Sequence, residues 1–379
     1  MAIDKITTPA IADDAVTNAK VSYNNNQFRN IIINGDMSLA QRATSVTGVG
    51  NGDNSCHTVD RLSFYEEGGT SGEFTMSQEN DVPTGQGFAK STKLDCTTAD
   101  ASLAATEVIA LEYKFEGQML QYIKKGTSNA ESLTLSFWVK TNKTGTYVAN
   151  FYDNDNDRHT SQNYTVSSAN TWEKKIITFA PDTSGTLTND NTLALAMYFI
   201  LGAGTSYTSG SAATAWETFS GNADNWCGGQ NVNLLDNTSN EFYITGVQLE
   251  AGTTASDFEF LPFDVNEERC KRYYQLIASG VSDRSIATGV YYTSSRVFGN
   301  IFLTKIMRVR PSLDLVSGTN YYVTYSSSAA DQINDFALDN SASDLIISIQ
   351  NQSSSGTQGY AGMIRTNNSS AFLGVDAEL

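Results

Sequence analysis

From residue 29 to residue 264 the chain is written in short runs of strand-forming residues separated by clusters of Gly, Asn, Asp and Ser. Ten such segments stand out: NIIIN (30–34), RLSFYEE (61–67), GEFTMSQ (72–78), FAKSTKLDC (88–96), VIALEYKFEG (108–117), SLTLSFWVKT (132–141), GTYVANFYD (145–153), WEKKIITFA (172–180), TLALAMYFI (192–200) and EFYITGVQLE (241–250). In SLTLSFWVKT, Leu133, Leu135, Phe137 and Val139 fall on one side of an extended chain, and Thr134, Ser136, Trp138 and Lys140 on the other. Side chains alternate between the two faces of a strand, so such a segment has one face to bury. Several of them together call for two sheets sharing one core, a β-sandwich. With 40% hydrophobic and 11% aromatic residues, the material for cores is present.

The two flanks read differently. In residues 1–28, Ile6, Ile11, Val16 and Val21 recur every five residues, which is neither a helix nor a strand period. One apolar residue in five makes no core alone, so the segment reads as an extended arm that buries its Ile/Val row against a partner or against copies of itself. At the other end, NEERCKRYYQLIA (266–278) predicts the best helix of the chain, with Asn266 as its cap and Glu267 and Glu268 against the positive end of the helix dipole. Short β segments follow at 288–293, 297–304, 319–325, 344–350 and 372–379. GQMLQYIKK (117–125) predicts one short helical turn. The expected fold is therefore mainly β: a sandwich at 29–264, then a short helix and a smaller distal β domain at 265–379, preceded by the arm.

Charge excludes some partners. The net charge is −17 in 379 residues. It resides in the sandwich, where residues 29–264 hold 13 basic and 28 acidic side chains, while residues 265–379 hold 9 and 10. Nucleic acid and anionic membrane surfaces are repelled by such a chain. No apolar run is long enough to span a bilayer, and MAIDKITTPA lacks the apolar stretch of a secretory signal, so membrane insertion is not expected. Cys56, Cys96, Cys227 and Cys270 form no CxxC pair and read as free or buried thiols. With two histidines and no GxSxG, HExxH or phosphate-binding loop, no enzyme activity is expected.

Several motifs carry a family resemblance: NIIINGDMSLAQR (30–42), TVDRLSF (58–64), SLTLSFWVKT (132–141), NTWEKKIITF (170–179) and FYITGVQLEAGTTASDFEFLPFDVNEERCKRYYQ (242–275). Together they resemble the carbohydrate-binding-module-like jelly-roll domain of bacteriophage tail fibre proteins, and the closing LGVDAEL is similar to the ends of such fibres. The resemblance implies a jelly-roll sandwich in a virion structural protein, commonly a homotrimer. Its arm (Ile6, Ile11, Val16 and Val21) attaches to other virion proteins of tail or neck, and its outward part meets a host cell-surface glycan. A short fibre fits better than a long one, because only about 28 residues precede the first domain. Two other readings remain open at this point: a structural connector or head decoration without receptor contact, and a carbohydrate-binding module of a bacterial secreted protein.

Two constellations are candidate sites. Asp153, Asp155 and Asp157 alternate in YDNDNDRH, a pattern that suits a hard cation with oxygen ligands, so a structural calcium ion is the cofactor to test; a solvated hairpin turn is the other reading. The Gly/Ser/Asn-rich stretch 202–240 has no strand pattern and holds Tyr207, Trp216, Phe219 and Trp226. Long loops of this kind carry function, and flat rings stack on the apolar face of a sugar, so these four are the carbohydrate-binding candidates. Alternatively they fold back as a plug over the sandwich or form an inter-subunit contact. Trp138 and Trp172 read as core or edge packing, Asp60–Arg61 and Gln41–Arg42 as turn anchors, and Tyr291–Tyr292 and Tyr321–Tyr322 as pairs with one ring on each face of a strand.

Overall fold

A computed structural model describes residues 28–280, 283–327 and 329–379. The arm positions Ile6, Ile11, Val16 and Val21 lie outside them. Between Ser45 and Ala251, strands form two six-stranded antiparallel sheets. The first has the order β1 (Ser45–Gly50), β3 (Glu73–Glu79), β4 (Ser91–Thr98), β12 (Glu241–Ala251), β6 (Leu133–Thr141) and β9 (Glu173–Phe179). The second runs β11 (Glu217–Thr218), β8 (Arg158–Val166), β7 (Gly145–Asp153), β10 (Leu193–Ala203), β5 (Val108–Glu116) and β2 (Ser63–Glu67). The inner faces share one core. As the alternation requires, Leu133, Leu135, Phe137 and Val139 of β6 are in it. Phe137 meets Phe199 of β10 and Tyr164 of β8 edge-on, at 4.9 and 5.1 Å. Each such ring contributes about 1.5–3 kcal/mol by burial, and the edge-on geometry adds roughly 0.5–1.5 kcal/mol per pair. The chain is a jelly-roll-like β-sandwich, mainly β as expected.

Within the sandwich, local pattern misled at four places. NIIIN is not a strand: Ile31, Ile32 and Ile33 are buried in irregular backbone, and residues 30–35 run beside β12 where its register shifts between Thr245 and Gln248. There Ile31 N donates to Leu249 O, and Asn30 Oδ1 accepts from Leu249 N. Gly35 is required at that approach, because a side chain would meet the Val247 carbonyl. Strand β8 was not expected, because its inward positions Thr160 and Gln162 are polar and show no apolar alternation. The short strands β1 and β11 were likewise invisible.

The helix also differs. It runs Phe263–Cys270 (α2; a four-residue turn, α1, Thr205–Thr208, precedes it in the chain), beginning after Pro262. Asn266 is not its cap. Its side chain is buried against the NIIINGD loop, accepting from Asn34 N and donating to Asp36 Oδ1 and Ser38 Oγ. The predicted second half of the helix is instead strand β13 (Tyr274–Ser279), because β22 (Phe372–Asp376) arrives from the far end of the chain to pair with it. Gly374 leaves room there for the Tyr274 hydroxyl. The turn expected at 117–125 is present as two short 3₁₀ turns, Gly117–Met119 and Gln121–Ile123.

The distal part has a second core. A three-stranded sheet joins β13, β22 and β16 (Ser312–Leu315). A seven-stranded sheet follows the order β18 (Ala329–Ile333), β17 (Tyr322–Ser326), β21 (Ala361–Thr366), β14 (Ser285–Thr293), β15 (Arg296–Phe302), β20 (Ile346–Asn351) and β19 (Ala337–Leu338). The DR and QR pairs are anchors between the two parts. Arg61 lies over the Tyr273 ring, 3.5 Å from its centre, and pairs with Glu378; Arg42 lies over Tyr274 at 3.8 Å and pairs with Asp376 at 2.8 Å. Arg272 pairs with buried Glu116 at 2.6 Å, and Lys114 Nζ reaches the backbone oxygen of Leu379 at 3.0 Å.

Candidate functional site

The outer face of the second sheet carries the candidate site. Strand phase turns Tyr65 of β2, Glu112 of β5, Tyr198 of β10, and Asn150 and Tyr152 of β7 away from the core. The 204–232 excursion after β10 then folds across this face. It is fastened by Asn150 Nδ2 to Trp226 O (3.0 Å), Thr160 Oγ1 to Ala213 O (2.9 Å) and Ser161 N to Ala213 O (2.8 Å).

Trp226 is the hub of what results. It is 4% exposed and receives Tyr198, Tyr207, Phe219 and Tyr65 edge-on, at 5.3, 5.5, 5.8 and 6.3 Å between ring centres. Its Nε1 has no hydrogen-bond partner among the described residues. Around it Tyr65, Tyr152, Tyr207 and Phe219 are half-buried, so part of each ring meets solvent. Three phenol tips are held by carboxylates. Tyr65 and Tyr207 donate to Glu67, at 2.7 and 3.5 Å, and Tyr152 donates to Asp157 at 3.1 Å. Burial, followed by the hydrogen bond to Asp157, pushes the Tyr152 phenol up to about 12, so it remains a donor at neutral pH. Asp157 is held below the usual carboxylate range, first by the Ser220 hydroxyl. Glu112 is buried in the sheet surface, which raises its carboxyl, and Lys114 stands 3.4 Å away. The result is a rim of fixed aromatic edges and faces with acceptor oxygens beside them.

Three of the four aromatic candidates, Tyr207, Phe219 and Trp226, are thus brought together, although Trp226 is the packed centre rather than a presented ring. Trp216 is elsewhere. It packs on the core beside Phe151 (6.4 Å), with Lys125 over its ring at 4.9 Å, and donates Nε1 to Ala180 O at 3.0 Å. Tyr65, Tyr152 and Tyr198 were missed; their signal was a tyrosine on the outward phase of three separate strands. Trp172 packs on the outer face of the first sheet, 6.2 Å from Tyr243, and donates to Asp81 at 3.0 Å.

The three aspartates do not converge. Asp153 is buried, pairs with Lys125 and accepts from Asp155 N and Asn156 N at 3.0 and 3.1 Å. Asp155 accepts from Thr188 N at 2.8 Å, and Asp157 faces Ser220 and Tyr152. Lys125, also 2.9 Å from Asp182, and Arg158, which donates to both oxygens of Asp182 at 2.9 and 3.0 Å, are cations at this corner. Among the described residues no group of three or more His, Cys, Asp or Glu side chains is arranged to hold a metal ion.

No protein-family model matches the chain, and no curated protein does. Among solved structures, the enzymatically active domain of tailspike protein 4 of bacteriophage CBA120 aligns at 13% identity and a TM-score of 0.30, over 59% of this chain and 21% of that one. The chain therefore spans about a fifth of the length of that tailspike domain. The family 11 carbohydrate-binding module of Clostridium thermocellum Lic26A-Cel5E aligns at 12% identity and 0.29, over 55% of this chain and 98% of the module. The CBM22-1 xylan-binding domain of Paenibacillus barcinonensis Xyn10C aligns at 12% identity and 0.23, over 55% and 95%. The sandwich described above rests on its own strand order and register.

Proposed function

We propose that this protein is a glycan-recognising appendage of a bacteriophage virion, of the tail-fibre or short-fibre kind, that binds sugars without turning them over. The observation that carries the glycan reading is the rim of Tyr65, Tyr152, Tyr207 and Phe219 around Trp226. Half-exposed rings whose phenols are tied to Glu67 and Asp157 are oriented before any ligand arrives, which lowers the ordering cost of binding. The nearby carboxylates accept hydroxyl hydrogens and repel anions, so a neutral saccharide is the ligand class. The virion reading is supported by the sequence motifs, and residues 1–28 are the segment assigned to the particle. Several copies acting together, as in a homotrimer, raise weak single-site affinity to useful avidity.

The test is binding of neutral oligosaccharides and of host cells by the full chain and by Tyr65→Ala and Tyr152→Ala. Each ring supplies on the order of 1 kcal/mol, so each substitution weakens single-site binding by roughly fivefold to tenfold, while the lost ring contacts lower the melting temperature by a few degrees and circular dichroism shows the fold retained. Wild-type affinity in both variants would remove the rim from the account.

A further inference from the structure

Much of the outward face of the seven-stranded distal sheet is exposed among the described residues. Alternation along β14, β15, β17 and β21 turns Val290, Tyr292, Phe298, Phe302, Tyr325 and Met363 outward, while their neighbours Tyr291, Val297, Ile301 and Ile364 fill the distal core. Tyr292 is 65% exposed, Phe302 73% and Met363 50%. The pairing places these side chains next to one another: Val290 lies opposite Phe298 across β14–β15, and Tyr325 opposite Met363 across β17–β21. Tyr292 and Phe298 already touch edge-on at 5.8 Å. Contiguous exposed apolar surface of this kind marks an interaction site.

Its composition points to protein rather than solvent. The charged residues at outward positions of the described strands are Arg296 and Arg365, each laid on a ring of the same face, at 5.0 Å over Phe298 and 3.8 Å over Tyr325. No Asp, Glu or Lys occupies an outward position of these strands among the described residues. Aromatic residues, Met and Arg in, with Lys, Asp and Glu out, is the make-up of an interface core. In a chain of net charge −17, such a face is an exception.

We infer that this face is where copies of this chain meet, sheet against sheet. Charge permits a second copy here. The sandwich, with 13 basic against 28 acidic residues, repels its own kind, whereas the distal part, with 9 against 10, does not. Area agrees. Seven strands about 4.8 Å apart, with some five residues at about 3.3 Å each, give a flat footprint near 500 Å² per copy. Two such faces bury about 1,000 Å² before corrugation is counted, the size at which specific contacts begin. Packed sheets of this form interdigitate about 10 Å apart, which makes an intermolecular sandwich. The inference rests on the multi-copy assembly proposed above and supplies it with a pairwise contact, because one face packed on its like joins copies two at a time.

The experiment is light scattering after size exclusion on the full chain and on the double variant Tyr292→Glu with Phe302→Glu. The expected result is a wild-type mass that is a multiple of 41.1 kDa and survives high salt, with self-association at least about tenfold weaker in the variant. Both positions are exposed, so circular dichroism and melting of the variant stay those of the wild-type protomer. A wild-type monomer at micromolar concentration overturns the inference. So does a variant of unchanged mass, which would assign the contact to another surface or to another protein. Oligosaccharide binding measured on the same variant keeps the two proposals apart, because the rim at Tyr65 and Tyr152 is untouched.

Discussion

Replacing Trp226 tests the aromatic hub most directly. Trp226→Ala removes a ring that meets four others edge-on and leaves a hole against Tyr198 and the sheet. Large aromatic truncations in packed sites cost about 3–5 kcal/mol. In a sandwich of this size that corresponds to roughly 6–20 °C in melting temperature if the loss is felt globally. The excursion is also fastened at Thr160 and Ser161, so part of the cost can appear as local release. Calorimetry and limited proteolysis between residues 205 and 231 are therefore read together: the midpoint falls, the excursion becomes cleavable, or both. Trp226→Phe behaves differently. The indole N–H has no partner among the described residues, and an unpaired buried donor costs about 1–3 kcal/mol, so removing it offsets the lost area and leaves a net change under about 1.5 kcal/mol. A stable, protease-resistant Trp226→Ala protein refutes the hub. A Trp226→Phe protein as damaged as Trp226→Ala refutes the unpaired donor.

Other expectations follow from buried charge. Lys125→Met leaves buried Asp153 without its ammonium, while Asp182 keeps Arg158, and destabilises by about 3–5 kcal/mol in chemical denaturation. Because Asp153 is already engaged by Lys125, calcium and chelator give the same melting curve; a calcium-dependent rise would restore the cation reading of Asp153, Asp155 and Asp157. Burial alone would raise the Glu116 carboxyl, but hydrogen bonds from Arg272, Tyr273 and Gln118 outweigh it and hold the group below its usual 4.5. A depressed carboxylate stabilises above its unfolded value, and that stability is lost as pH falls through the folded one. Urea midpoints of the wild type and of Glu116→Gln therefore differ most at neutral pH and converge below about pH 4.5.

What was legible depended on how local the cause was. Strand β6 was readable to within one residue, because its apolar and polar positions alternate with the pleat. Strand β8 was not, since Thr160 and Gln162 face inward and only neighbouring strands reveal them as interior. The helical character of NEERCKRYYQLIA (266–278) was real in its first half, yet Tyr274–Ser279 became strand because β22, about a hundred residues away, offers it hydrogen bonds that a helix would forgo. Asn266 was read as a cap from its neighbours, whereas its actual partners, Asn34, Asp36 and Ser38, lie more than 220 residues earlier. The aromatic cluster was half visible: 202–240 announced itself by lacking a strand pattern, but Tyr65, Tyr152 and Tyr198 sit inside strands that looked merely structural.

The sequence by itself determined that the chain makes β-sheets with one face to bury, about where most of the sandwich strands lie, and that its negative charge gathers on the sandwich. Those properties follow from side-chain periodicity and composition, which act over a few residues. Tertiary structure alone decided that Trp226 is a packed hub instead of a presented ring, that Asp153 meets Lys125 instead of joining Asp155 and Asp157, and that a sheet face of Tyr292, Phe302 and Met363 is left uncovered. Each of those outcomes is a contact between segments far apart in the chain, and the energy of a contact exists only once folding has chosen the partner.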